Sequence, residues 1–227
     1  LMHAKHRALT HDLLWLLLSN RGYHKLLNIM QLENVLQPNS GTGFPRGIED
    51  YSVTLFGEPS DTSPWAWRFE GHHVSLSITV APGMGFTVTP TFFGADPADV
   101  TAGPLAGLRV LRVEEDFGLQ LARWLSPAQL RSALVPGTPE WNKVGGFAYP
   151  NDVPWDIVAA TILRDRSDWH TWKTELQPGG IAFKDLSGPQ QLLLLGLLDE
   201  IFTTYRPEIA DVYRESLDLE GLRFAWI

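Results

Sequence analysis

The chain of 227 residues contains no cysteine. Disulfides, thiolate nucleophiles and cysteine-ligated zinc are therefore excluded. The lack fits a reducing or an oxidising compartment equally and does not locate the protein. Basic residues are scarce: 18 Lys and Arg stand against 26 Asp and Glu, for a formal net charge of −8. A generic nucleic-acid surface needs clustered cations, so no nucleic-acid partner is expected. Long apolar runs are missing as well. The stretches Leu13–Leu18 and Leu192–Leu198, the latter interrupted by Gly196, fall far short of the roughly 20 residues that span a bilayer, so no transmembrane span is expected. No signal peptide is legible, because the histidines and basic residues at the start lead into an amphipathic helix with no small-residue cleavage site. Nucleophile elbow, P-loop, HExxH zinc motif, EF-hand loop and Rossmann glycine fingerprint are all absent.

What is present is ordinary globular material: 44% hydrophobic and 19% charged residues. Nine Trp are unusual. Large aromatics fill cores, the role expected for most of them, and also line ligand grooves.

In chain order, residues 8–19 and 23–36 are expected to form a helical hairpin. Thr10 is the candidate N-cap, Gly22 the left-handed C-cap of the first helix, and Pro38 closes the second. The dense leucines of the first helix predict that it is well buried. Alternation predicts strands over 51–57, 65–80 and 86–93, joined as an antiparallel meander. A loop over 94–107, a short strand at 108–113 and a helix over 114–124 follow. Ser126-Pro127-Ala128-Gln129 reads as a capping box with proline at the first helical position, starting a helix that runs to Leu134. A long loop is expected over 135–156, and 158–163 is an ambiguous apolar run. Ser187-Gly188-Pro189-Gln190 repeats the capping logic and opens a helix to Thr204. A helix over 207–217 and a strand at 224–227, belonging to a sheet continued elsewhere, complete the chain. The fold class is α+β, an antiparallel sheet packed on several helices within one domain, 1–227. Both ends read as cut from something longer, and strand edges exposed that way favour self-association.

The chemistry concentrates in Trp65–Ala95, which carries the tandem His72 and His73. Before Gly71 the large residues occupy odd positions (Trp65, Trp67, Phe69). After it the apolar residues occupy even ones (Val74, Leu76, Ile78, Val80). This one-residue phase slip has two readings: a β-bulge at Gly71, or a strand whose first half is buried on both faces. Adjacent histidines on a regular strand point to opposite faces, so they share a pocket only if the distortion turns both. Imidazole can ligate a metal or move a proton near neutral pH. The plainer alternative places one ring in the core and the other at the surface. Glu70 and Arg68 share a face. Glu70 could orient a histidine as a supporting carboxylate, or the two could form an ordinary surface ion pair. Glu114 and Glu115 are further carboxylates, read first as acids decorating a helix N-terminus. His3, His6 and His11, and the run Asp168-Trp169-His170, carry weaker signals.

The run Trp65-Ala66-Trp67-Arg68-Phe69-Glu70-Gly71-His72-His73, followed by Pro90-Thr91-Phe92-Phe93-Gly94-Ala95-Asp96-Pro97, resembles the family known as "domain of unknown function 3500". Tyr51, Phe56-Gly57, Pro59, Gly107, Leu111, Glu114, Glu115, Gly180-Ile181, Leu186–Gln190 and Phe224-Ala225-Trp226 support the resemblance, which covers most of the chain from residue 8. The label carries no activity. The resemblance implies members longer at both ends with a later His-x-His segment, so this chain is expected to carry part of any shared metal site.

The leading functional expectation is a metal-dependent enzyme, hydrolytic or oxidative. His72 and His73 would be ligands or acid–base groups for a divalent transition metal, and Glu70 would support them. Arg68 and Trp67 would contact a small-molecule substrate, with Arg68 on an anionic group. The alternatives are a non-catalytic module whose Trp-rich sheet binds a small molecule or glycan, and a purely structural domain. The enzyme reading requires His72 or His73 in reach of another histidine or a carboxylate.

Overall fold

The computed structural model describes residues 2–36, 47–134 and 179–226. The expectations for Pro38, for residues 135–163 and for Asp168-Trp169-His170 lie outside them. The architecture is α+β, with an antiparallel five-stranded sheet and six α-helices among the described residues. Two compact units are recognised, one of residues 1–115 with 199–215 and one of 116–198 with 216–227. No helix among the described residues is long and apolar enough to cross a membrane.

The first unit opens with helices α1 (Ala4–Leu17) and α2 (Asn20–Leu36). The N-cap of α1 is His3, whose side chain accepts from the Lys5 N–H. Thr10 instead lies inside the helix, its hydroxyl donating to the His6 carbonyl. Nor does Gly22 end α1. The break falls at Leu18–Ser19, and the Ser19 hydroxyl takes the Gly22 N–H at the start of α2. Gly22 is required for another reason: a Cβ there would sit 1.8 Å from the Thr204 carbonyl oxygen. Helix α1 is also less buried than its leucines suggest. Leu14 and Leu17 enter the core, while Leu9, Trp15 and Leu16 are exposed, Leu16 by 61%.

The sheet comprises β1 (Ser52–Phe56), β2 (Trp65–Gly71), β3 (Val74–Ala81), β4 (Gly85–Thr87) and β5 (Thr91–Phe93). The order is β1-β2-β3, and β4 and β5 both pair antiparallel with β3. The expected strand over 86–93 is thus two short pieces. Between them Pro90 has no N–H for a ladder, and its carbonyl accepts from the Ser77 N–H.

The predicted single strand over 65–80 is a hairpin. Gly71 pairs with Val74, leaving His72 and His73 as a two-residue turn, and His73 has φ +61°. This explains the phase slip without a bulge. Gly71↔Val74 couples odd positions of β2 to even positions of β3, so Trp67 faces Ile78 and Phe69 faces Leu76 across the ladder. The core of this unit gathers Leu14, Leu17, Leu18, Leu26, Ile29, Met30, Trp67, Phe69, Val74, Leu76 and Ile78, with Tyr51, Val88 and Tyr205. Helices α1 and α2 therefore cover one face of the sheet.

The expected strand at 108–113 is not formed. The chain runs through a turn into α3 (Arg112–Trp124). The Leu108 carbonyl accepts from the Val100 N–H, so its partner is the preceding loop rather than a strand. The capping box is present at the start of α4 (Pro127–Ala133): Ser126 and Gln129 each satisfy the other's backbone N–H. Helix α5 (Gly188–Phe202) begins in the same style, with the Gln190 side chain accepting from the Ser187 N–H. The two capping glutamines meet, each amide donating to the other's oxygen, and Gln190 also donates to the Trp124 carbonyl. Helix α6 spans Pro207–Glu215. The C-terminal strand expected over 224–227 is shorter and starts earlier, as β7 (Arg223–Phe224), and it pairs with β6 (Ile181–Ala182) of the same chain rather than with a sheet continued elsewhere.

Candidate metal centre

The His72-His73 turn is held from several sides. Gly71 lies under the Tyr51 ring, where an added Cβ would be 2.3 Å from the ring carbons. The Tyr51 hydroxyl donates to the His72 carbonyl at 2.9 Å, and its ring stacks on Phe69. Beyond the turn, the Gly94 N–H donates to the His73 carbonyl at 2.8 Å. A Cβ on Gly94 would come within 2.7 Å of His73 Nδ1, so glycine is needed to let the loop lie against that ring.

This packing settles the orientation question raised by adjacent histidines. In the turn, strand alternation does not apply, and the two rings lie with centroids 4.1 Å apart at 62°. Among the described residues, one group of three metal-ligating side chains gathers: His72, His73 and Asp96, each offering one ligand atom, all within 4.8 Å of one another. Two imidazoles and a carboxylate at that separation could hold a metal ion. Both histidines are half-buried and Asp96 is exposed, so one side of the group is open to solvent.

A fourth residue completes the surroundings. Glu33, on α2, places Oε1 2.5 Å from His72 Nδ1. It is only 2% exposed. A buried carboxylate needs a strong donor, and an ionised one can only accept. An ionised Glu33 therefore pairs with the Nδ1–H form of the His72 ring. The negative charge of Glu33 acts on Tyr51 too: burial first, then Glu33, push the Tyr51 phenol well above its usual range, keeping the hydroxyl a donor.

The residues singled out in the sequence are distributed as follows. His72 and His73 are brought together. Arg68 and Glu70 project to the sheet face opposite Trp67 and Phe69. There they pair with each other at 2.9 Å, with the Arg68 guanidinium over the Phe56 ring. Trp67 is 4% exposed and belongs to the core. Glu114 bonds the buried Lys25, and Glu115 bonds Arg109. The rings of His3 and His6 meet edge-on, 6.1 Å apart, and His11 bonds the Tyr23 hydroxyl.

Two members escaped sequence reasoning. Asp96 stands in a loop behind a glycine and an alanine, with nothing local to distinguish it from a turn residue. Glu33 did leave a signal. It continues the buried helical stripe Leu26, Ile29, Met30 at the spacing where another apolar residue belongs. A carboxylate in that position requires a partner inside.

One family model matches the chain, over residues 1–227, and its description reads "Protein of unknown function (DUF3500)". No curated protein and no solved structure matches.

Proposed function

Given that the chain belongs to this family, whose description assigns no chemistry, we propose from the site itself that the protein is a metal-dependent enzyme. One observation carries the reading: His72, His73 and Asp96 present three ligand atoms within 4.8 Å, on a side of the turn that solvent reaches. A closed structural site uses four protein ligands, whereas a catalytic one keeps a position open for water or substrate. Two histidines and one carboxylate suit zinc-assisted hydrolysis, where the ion activates water. They equally suit a non-haem iron centre, where open positions receive oxygen and substrate. Hydrolytic and oxidative chemistry are thus the two branches of one proposal, separated by the identity of the ion.

Within this reading His72 and His73 are ligands, and Asp96 supplies the anionic one. Arg68 is available to an anionic substrate group only by releasing Glu70, and Glu70 balances its charge until then. Trp67 supports the site through the core beneath the hairpin.

The test is elemental analysis of protein purified from metal-supplemented culture, followed by calorimetric titration with Zn²⁺, Mn²⁺ and Fe²⁺. The expected result is one ion per chain in the wild type, and a loss of at least tenfold in affinity for His72→Ala, His73→Ala and Asp96→Asn, in keeping with the roughly 10–100-fold losses seen even for outer-shell partners. A wild-type protein that takes up none of these ions would falsify the reading.

A further inference from the structure

We infer that Glu33 is the positioning residue of this centre. It fixes the tautomer and orientation of His72 so that the ring meets an ion through Nε2. The inference rests on the metal reading above for its purpose, while its geometry stands alone.

The argument begins with cost. Glu33 lies on the apolar stripe of α2, 2% exposed, among side chains that fill the core. A carboxylate there without a donor is strongly destabilising, and an apolar residue of similar size would avoid the cost altogether. Its bond to His72 Nδ1, at 2.5 Å, is the contact that compensates it. A carboxylate has no proton to give, so this contact selects the Nδ1–H form of the ring. Ligation through Nε2 is the mode compatible with that form. Carboxylate–histidine–metal arrangements work in this way: the outer carboxylate sets the tautomer, stops ring rotation and makes the ligating nitrogen more basic.

The second support is the clamp on the other side of the same residue. Tyr51 donates to the His72 carbonyl, and its ring occupies the space above Gly71. Backbone and side chain of His72 are thus held by different elements, the backbone by Tyr51 beside β1 and the ring by Glu33 on α2. Half-buried histidines at an ordinary hairpin turn need neither restraint. A ligand needs both, since a site of this kind tolerates only small errors in position.

Two variants test the role, both read against wild type. Glu33→Gln keeps an acceptor oxygen and loses the charge. Glu33→Met keeps the volume and loses both. The first readout is the ¹⁵N signature of the His72 ring in metal-free protein at about pH 8, above the ordinary imidazole range. The wild type should show the Nδ1–H tautomer, and Glu33→Met should shift to the Nε2–H form. The second is Zn²⁺ affinity, expected to fall roughly 100-fold in Glu33→Met and about tenfold in Glu33→Gln, the range typical of outer-shell partners. A merely structural Glu33 would change melting temperature without moving the tautomer. Wild-type affinity and an unchanged tautomer in Glu33→Met overturn the inference. If Glu33→Met does not fold, wild-type affinity in Glu33→Gln overturns it alone. If the wild type binds none of Zn²⁺, Mn²⁺ and Fe²⁺, the metal reading fails separately, and an unchanged tautomer in Glu33→Met then sinks the positioning role as well.

Discussion

Tyr51 joins the turn to the core through one ring and one hydroxyl. Tyr51→Phe keeps the ring over Gly71 and removes the bond to the His72 carbonyl. The expected loss is about 1 kcal/mol, the net value of one such bond, measured by urea denaturation. A larger loss would mean that the hydroxyl holds more than the turn. Tyr205 gives a different kind of prediction. Burial pushes its phenol up to about 12. A folded-state pKa above the unfolded value near 10 means that the folded protein holds the proton more tightly. The contribution is complete below about pH 10 and is lost as pH rises through about 12. Tyr205→Phe should therefore flatten part of the alkaline decline in stability, read from denaturation midpoints between those limits. The two histidines were legible as residues because their pairing is rare and their neighbours are distinctive. Asp96 and Glu33 were not, since the grouping of distant side chains is a property of folded space. Asp96 sits in an unremarkable loop, and Glu33 joins across 39 positions of sequence.

Among the elements, the β2–β3 hairpin was half legible. The alternation of Trp67 and Phe69 against Leu76 and Ile78 revealed that the apolar phase changes at Gly71. It did not reveal the turn, because His-His lacks the Asn-Gly signal that marks two-residue hairpins. His73 holds a positive φ that asparagine adopts more readily. His73→Asn should thus keep wild-type stability to within about 1 kcal/mol, the size of a left-handed backbone penalty, while abolishing ion binding. Paired melting and titration experiments check this, and a large destabilisation would show that the ring is retained for packing. The capping box at Ser126–Gln129 and the Ser187–Gln190 bond were legible, being local hydrogen-bond patterns written over four residues. Their meeting through Gln129 and Gln190 was not, because it depends on where two helices lie. The exposed face of α1 was misread for the same reason. Leucine density records how much apolar surface exists, and only packing decides which side of it is covered.

At the scale of the molecule, α+β architecture followed from the mixture of periodicities, while the ion pairs of the first unit had no sequence signature. Lys25 is buried on α2 and bonds Glu114, Glu200 and Thr204, with Arg21 on the far oxygen of Glu200. Lys25 and Arg21 balance the two glutamates. Lys25→Ala leaves Glu114 without this partner and Glu200 with Arg21 alone, so a loss of about 3–5 kcal/mol is expected, the cost of stripping one member from a buried ion pair. Chemical denaturation measures it. A loss below about 1 kcal/mol would mean that the network behaves like exposed pairs.

The placement of His72, His73 and Asp96 within a tight turn and the loop after β5 also favours an order in time. A hairpin closes within microseconds, and short loops close faster than long ones. His72, His73 and Asp96 lie on one short stretch of chain, so they can converge while the helices are still undocked. Glu33 can reach His72 only when α2 settles on the sheet. An ion present during folding would meet an unsteadied pair of imidazoles first and acquire its tight grip last. On the metal reading proposed above, capture would begin as a loose, reversible event and be locked by the final packing of the core.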